Sequence, residues 1–273
     1  MLHRCLFRLA CLAFALHATM AAAVEPEPVP ASVSAPAAEP GLNHAPGDIW
    51  VEPGTGMRFT WIPGGCFVMG SADGYAFERP AHKVCVKGFF LGVYPVTQAQ
   101  YLKLAGKNPS ENRGMDLPVD SVTWNDAVQT VKRLAEASGE KIRLPSEAEW
   151  EYACRAGGKH DKYCGDGRLN ELAWYSHNSE GHSQPVGKKL PNAWGLYDMN
   201  GNVWEWTLDC WHENYYGAPS DGSAWVTGGD CAIRPARGGS WSTVTDSTRA
   251  AARNSDHRAL DFTDTGLRLL REP

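Results

Sequence analysis

The residues best suited to chemistry lie in two stretches. Gly195-Leu-Tyr-Asp-Met-Asn-Gly-Asn-Val-Trp-Glu-Trp206 sets a glycine-rich turn, two tryptophans and the acids Asp198 and Glu205 close together. Acids beside such a turn offer oxygen ligands to a hard cation. The second stretch carries Ser240 within Arg237-Gly-Gly-Ser-Trp241, then Arg253, Asp256 and His257. A hydroxyl, a guanidinium, a carboxylate and an imidazole could bind or protonate a polar substrate. Further histidines stand at positions 44, 82, 160, 177, 182 and 212. An iron site of two histidines and a carboxylate would need three such groups to converge. Their spacing gives no helical i, i+4 pair, so loop positions are expected and iron stays open.

The elements that must hold these residues are short. Phe59-Thr-Trp-Ile62 and Gly65-Cys-Phe-Val-Met-Gly70 read as strands joined at Pro63-Gly64, and Lys83 to Leu91 as a third. Thr97 is expected to cap a helix over 98–105. Thr123 or Asn125 should cap a second, with Ala127, Val128, Val131, Leu134 and Ala135 at helical spacing. Ser146 with Glu149 forms a capping box for a third helix within Leu144 to Ala153. Residues 158–235 are rich in Gly, Asn, Ser and Trp and poor in apolar runs. Arg237 to Trp241 and Gly266 to Leu270 read as closing strands.

The N-terminus reads as an export leader. Arg4 and Arg8 precede the apolar run Leu9 to Ala15, and Ala21-Ala22-Ala23 supplies small residues for cleavage. The run is shorter than the ~20 residues of a membrane span. Residues 1–23 are assigned to the signal. Residues 24–47, mostly Pro, Ala, Glu and Ser, form a disordered linker, and 48–273 form one domain. Losing the leader takes the formal charge from −5 to −7, since two arginines and no acids leave. An acidic chain without a basic block argues against nucleic acid and anionic lipid as partners. Six cysteines remain, at 66, 85, 154, 164, 210 and 231, with no C-x-x-C. An even count in an exported chain reads as disulfides. Of the possible pairings, Cys66–Cys85, Cys154–Cys164 and Cys210–Cys231 is expected, because each closes a short loop.

Four phrases together carry a family resemblance: Gly201-Asn-Val-Trp-Glu-Trp206, Arg143-Leu-Pro-Ser-Glu-Ala-Glu-Trp-Glu-Tyr152, Arg237-Gly-Gly-Ser-Trp241 and Thr265-Gly-Leu-Arg268. From about Trp61 to Arg271 the chain resembles the sulfatase-modifying factors, the family of the formylglycine-generating enzymes. The resemblance implies an α+β, loop-rich variant of the C-type lectin fold with a small antiparallel sheet and two to three helices. It implies a calcium staple at Asp198, Gly201, Val203 and Glu205; the competing reading has Asp198 capping a turn and Glu205 paired with an arginine. A second calcium site could involve Trp174 to Asn178. Catalytic members follow the Gly-Gly-Ser-aromatic phrase with two cysteines five residues apart, which bind copper(I) to oxidise a substrate cysteine. Here the loop Ser242-Thr-Val-Thr-Asp-Ser247 holds none, and no cysteine follows Cys231. Copper is therefore not expected. Trp204 and Ser240 match residues that line the oxygen pocket, and Arg253, Asp256 and His257 should lie near that cleft. Arg268 is expected to be structural.

These features leave three functions. The first is a periplasmic tailoring or oxidation protein, similar to the family's exported pyoverdine-maturation member, which also lacks the copper cysteines. The second is a non-catalytic module binding a small molecule, a peptide or a periplasmic protein. The third is formylglycine generation itself. A secreted or periplasmic monomer is the expected form.

Overall fold

The computed structural model describes residues 44–273. The expected leader and residues 24–43 of the expected linker lie outside them. Residues 44–47 lie against the domain, with the His44 ring 5.0 Å from those of Trp61 and Phe90.

Apolar side chains drive the first sheet. In chain order, β1 (Ile49–Val51), β2 (Arg58–Ile62), β3 (Gly65–Met69), β4 (His82–Val86) and β5 (Phe89–Gly92) precede the helices. The expected single strand from Lys83 to Leu91 is broken at Lys87-Gly88: β4 pairs with β3, whereas β5 turns to β2. The break lets Val84 and Val86 enter one core cluster and Phe90 another. Helix α1 (Gln98–Ala105) is capped by Thr97 in a full capping box with Gln100. Helix α2 (Trp124–Ser138) takes Thr123, not Asn125, as its cap: the Thr123 hydroxyl accepts from the Asp126 N–H at 3.0 Å. It buries Ala127, Val131 and Leu134. After β6 (Ile142–Arg143), α3 (Glu147–Cys154) is buried on all sides and starts at the Ser146–Glu149 box.

The middle stretch holds more regular structure than its composition announces. It contains α4 (Leu169–Leu172), β7 (Ala173–Trp174), β8 (Asn200–Gly201), β9 (Trp204–Trp206) and β10 (Ile233–Arg237). Strands β11 (Arg253–His257), β12 (Thr265–Gly266) and β13 (Leu270–Arg271) close the chain. Two readings of the tail need correction. Arg237 ends its strand, because Gly238 and Gly239 adopt φ of 100° and 80° and turn the chain out of the sheet. Gly266 to Leu270 is two strands, because Arg268 is drawn inward between them.

The main sheet has the order β1-β2-β5-β13-β6, and the second β11-β10-β9-β12. β12 runs parallel to β9, so the last segment of the chain lies beside the Trp204–Trp206 motif. The disulfides join Cys66 to Cys85, Cys154 to Cys164 and Cys210 to Cys231. Among the described residues no helix is long and apolar enough to cross a membrane.

Candidate functional site

Ser240 stands just past the double-glycine turn and is fully buried. Its hydroxyl donates to Asp264 Oδ2 at 2.8 Å, and the Ser242 hydroxyl donates to the same oxygen at 2.8 Å. The Asp264 carbonyl accepts the Trp204 N–H at 2.8 Å, which ties the tail to β9. The Trp241 indole donates to the Thr263 carbonyl at 3.2 Å. Beside these groups opens a cleft of about 370 Å³, lined by Glu111, Asn112, Gly181, His182, Ser183, Trp241 and Thr263. The Asn112 amide donates to the Ser183 carbonyl at 3.3 Å, holding the two walls together.

Acids crowd this end of the molecule. Asp120 is buried and accepts the Glu111 N–H at 3.2 Å and the Ser121 hydroxyl at 2.9 Å. Burial, reinforced by the charges of Glu111 and Asp264, pushes Asp120 up to about 6. Asp256 is also pushed up to about 6, by burial and then by Asp264. Asp120, Asp256, Asp264, Glu111 and Asn112 were not singled out as a group by the sequence, apart from Asp256.

The structure divides the expected cleft residues. Trp204, Ser240 and Asp256 gather around Asp264. Arg253 does not. It is buried on the other face of its strand and forks onto Glu147, both contacts at 2.8 Å. Its guanidinium lies 4.4 Å from the Trp211 ring and 4.5 Å from that of Tyr215. Alternation along β11 explains this: Arg253 and Asp256 are an odd number of residues apart, so they face opposite sides. His257 is exposed at the strand's end, with Nδ1 accepting from the Ala259 N–H at 3.2 Å.

Asp198 and Glu205 are both buried. Gly201, between them, takes φ 75°, and a side chain there would meet the Trp174 carbonyl. Glu205 accepts from Arg268 at 2.8–3.1 Å and from the Trp150 indole at 2.6 Å. Asp198 Oδ2 accepts the Gly187 N–H at 2.7 Å. Asp198 Oδ1 is buried with no partner. Burial pushes this carboxyl up to about 6, against the pull of Gly187 and Arg268. A buried carboxylate oxygen left without a partner fits an oxygen-seeking cation. Glu205 is paired with an arginine, as the competing reading has it, and only Asp198 Oδ1 is left without a partner. Asn178, in the second suggested site, is committed to a turn: it accepts from the Tyr175 N–H and donates to the Ala173 carbonyl.

With this geometry in place, comparison assigns the class. Residues 51–273 match the sulfatase-modifying factor enzyme 1-like domain, and the chain belongs to that family. The structure of PvdO from Pseudomonas aeruginosa is similar, with a TM-score of 0.75 and 32% identity, covering 84% of this chain and 99% of that one. The chaperone protein LppX of Paenibacillus barcinonensis is 31% identical over 53% of this chain and 71% of its own length. The formylglycine-generating enzyme of Mycobacterium tuberculosis is 29% identical over 54% of this chain and 72% of its own. Coverage of the curated relatives' lengths runs from 35% to 86%, so their whole-protein activities do not transfer directly.

Proposed function

We propose that this chain is an exported, non-canonical member of the family that acts in the periplasm as a tailoring or oxidation protein, as in siderophore maturation. One observation carries the reading. Ser240 and Trp204, which match the family's oxygen-pocket residues, are retained and both tied to Asp264, but every cysteine from Cys66 to Cys231 is held in a disulfide, and the loop after Trp241 offers none. Copper(I) has no soft ligand pair at that position. The tailored compound would sit in the cleft beside Ser240, Trp241 and Asp264. A calcium ion on Asp198, with the Gly201 and Val203 carbonyls and Glu205, would brace the cleft from below.

A second reading, a binding or chaperone-like accessory module, is favoured by the relative named a chaperone protein. In either case a Cys-x-Pro-x-Arg peptide, incubated with the protein, copper and oxygen, should show no aldehyde above a no-protein control by mass spectrometry. For the tailoring reading, a deletion strain should accumulate a precursor in its culture medium. Ser240→Ala and Trp241→Ala should fail to clear it while being exported normally. Aldehyde formation, or full rescue by both variants, would sink this assignment.

A further inference from the structure

The loop closed by Cys210–Cys231 holds an imidazole whose surroundings a neutral ring does not satisfy. Across the neck of the loop, Trp211 and Asp230 exchange backbone hydrogen bonds at 3.1 and 3.0 Å, and the Cys210 N–H donates to the Trp225 carbonyl at 3.0 Å. His212 lies flat on the Trp225 indole, with ring centroids 3.4 Å apart and planes 6° from parallel. Its Nδ1 faces the Cys210 carbonyl at 2.9 Å, and its Nε2 faces the Thr227 carbonyl at 3.1 Å. Carbonyl oxygens only accept. A neutral imidazole has one N–H and one lone pair, so one of the two contacts would set a lone pair against an oxygen, whereas the imidazolium donates to both. A cation on the face of a tryptophan is favoured as well. Gly229 keeps the ring seated, because a side chain there would meet it.

We propose that protonation of His212 latches this loop: the imidazolium ties the Cys210 carbonyl to that of Thr227, and loss of the proton releases one of the two and loosens the loop. Imidazole changes charge between pH 5 and 8, so the latch works in that range. It shapes a surface recess of about 340 Å³, which His212 lines together with Trp211, Tyr216 and Trp225. The charged groups around the ring come from three elements. From β11, the Arg253 guanidinium donates to the His212 carbonyl at 3.1 Å, and its charge is met by the fork onto Glu147. From β10, Arg234 donates to the Asp209 carbonyl at 3.0 Å and to Cys210 Sγ at 3.4 Å. From the loop itself, Glu213 and Asp230 line the recess beside His212. At the foot of the loop, buried Asp209 accepts the Trp225 N–H at 2.8 Å. Burial, and then the charge of Glu147, push Asp209 up to about 7, so a second proton binds nearby in the same range.

Hydrogen exchange of the Cys210 and Asp230 amides in the whole protein, corrected for intrinsic rates, reads the latch. Their protection should rise about tenfold between pH 8 and pH 5, the scale set by one hydrogen bond to a charged group. His212→Phe keeps a ring on Trp225 but has no N–H, and its protection should stay level over the same range. Asp209→Asn removes the other proton and should keep the rise. In the unmodified protein at pH 5, both ring N–H protons of His212 should appear by NMR as slowly exchanging signals, since a carbonyl holds each. No rise in the wild type, or an equal rise in His212→Phe, overturns the proposal. Loss of the rise in Asp209→Asn assigns the proton to Asp209 and overturns it too. Ring protons that exchange as fast as those of free imidazolium overturn it whether or not the variants fold.

Discussion

The interior behind α3 and the cleft beside Ser240 handle acids in opposite ways. Behind α3, Glu151 lies between two arginines: Arg155 at 2.8 Å and Arg237 in close contact. Glu147 is shared by Arg237 and Arg253, and Arg249 forks onto Glu78 at 2.6–2.8 Å. Burial opposes ionisation of Glu151, yet its two arginines hold it below its ordinary value. At the cleft, burial acts on Asp120 and Asp256 with another carboxylate as the nearest charge, and both are pushed up. The same carboxylate chemistry is therefore treated in two ways. The paired acids tie α3 to β10 and β11, whereas the unpaired ones leave their burial uncompensated by any cation among the described residues.

The largest expected effect breaks the paired side. Glu151→Gln leaves Arg155 and Arg237 buried without their counter-charge and should cost about 3–5 kcal/mol in urea unfolding. A loss below about 1 kcal/mol would show that solvent reaches the lattice. A smaller effect concerns Asp198. Calcium at a hundredfold excess over its dissociation constant should add about 2.7 kcal/mol, and Asp198→Asn should abolish the gain. Stability that is indifferent to calcium and to chelator would refute the staple and leave Glu205 simply as the partner of Arg268.

The smallest effect sharpens the unpaired side. A carboxyl whose folded value is raised binds more protons folded than unfolded, so its ionisation destabilises the fold. For Asp120 and Asp256 the window runs from the ordinary 3.8 to about 6. Lowering the pH from 7 towards 5 should raise the melting temperature by a few degrees. Asp264→Asn removes the charge that both acids feel and should flatten this slope. An unaltered slope would mean that burial alone sets their values.

Local signals in the sequence carried well into the structure. Thr97 and Ser146 cap helices because their hydroxyls reach N–H groups three residues ahead, an interaction that needs nothing distant. The Asp198–Glu205 turn was legible through Gly201, whose backbone no other residue would suit. The acid cleft was not. Asp120 and Asp264 come near each other where the Ser121 N–H bonds the Phe262 carbonyl at 3.0 Å, a long-range contact that no short-range pattern announces. Arg253 was misplaced for the same reason. Its partner Glu147 lies 106 positions away, and only strand alternation decides which face of β11 it takes.

The place of β13 has a consequence for biogenesis. This strand of two residues lies between β5 and β6, and the latter has no other neighbour in the sheet. Until Leu270 and Arg271 have emerged from the ribosome or a translocation channel, β5 and β6 present bare edges to other chains, the situation that favours aggregation. Truncation before Leu270 should therefore be far more harmful than the two strand residues it removes would suggest.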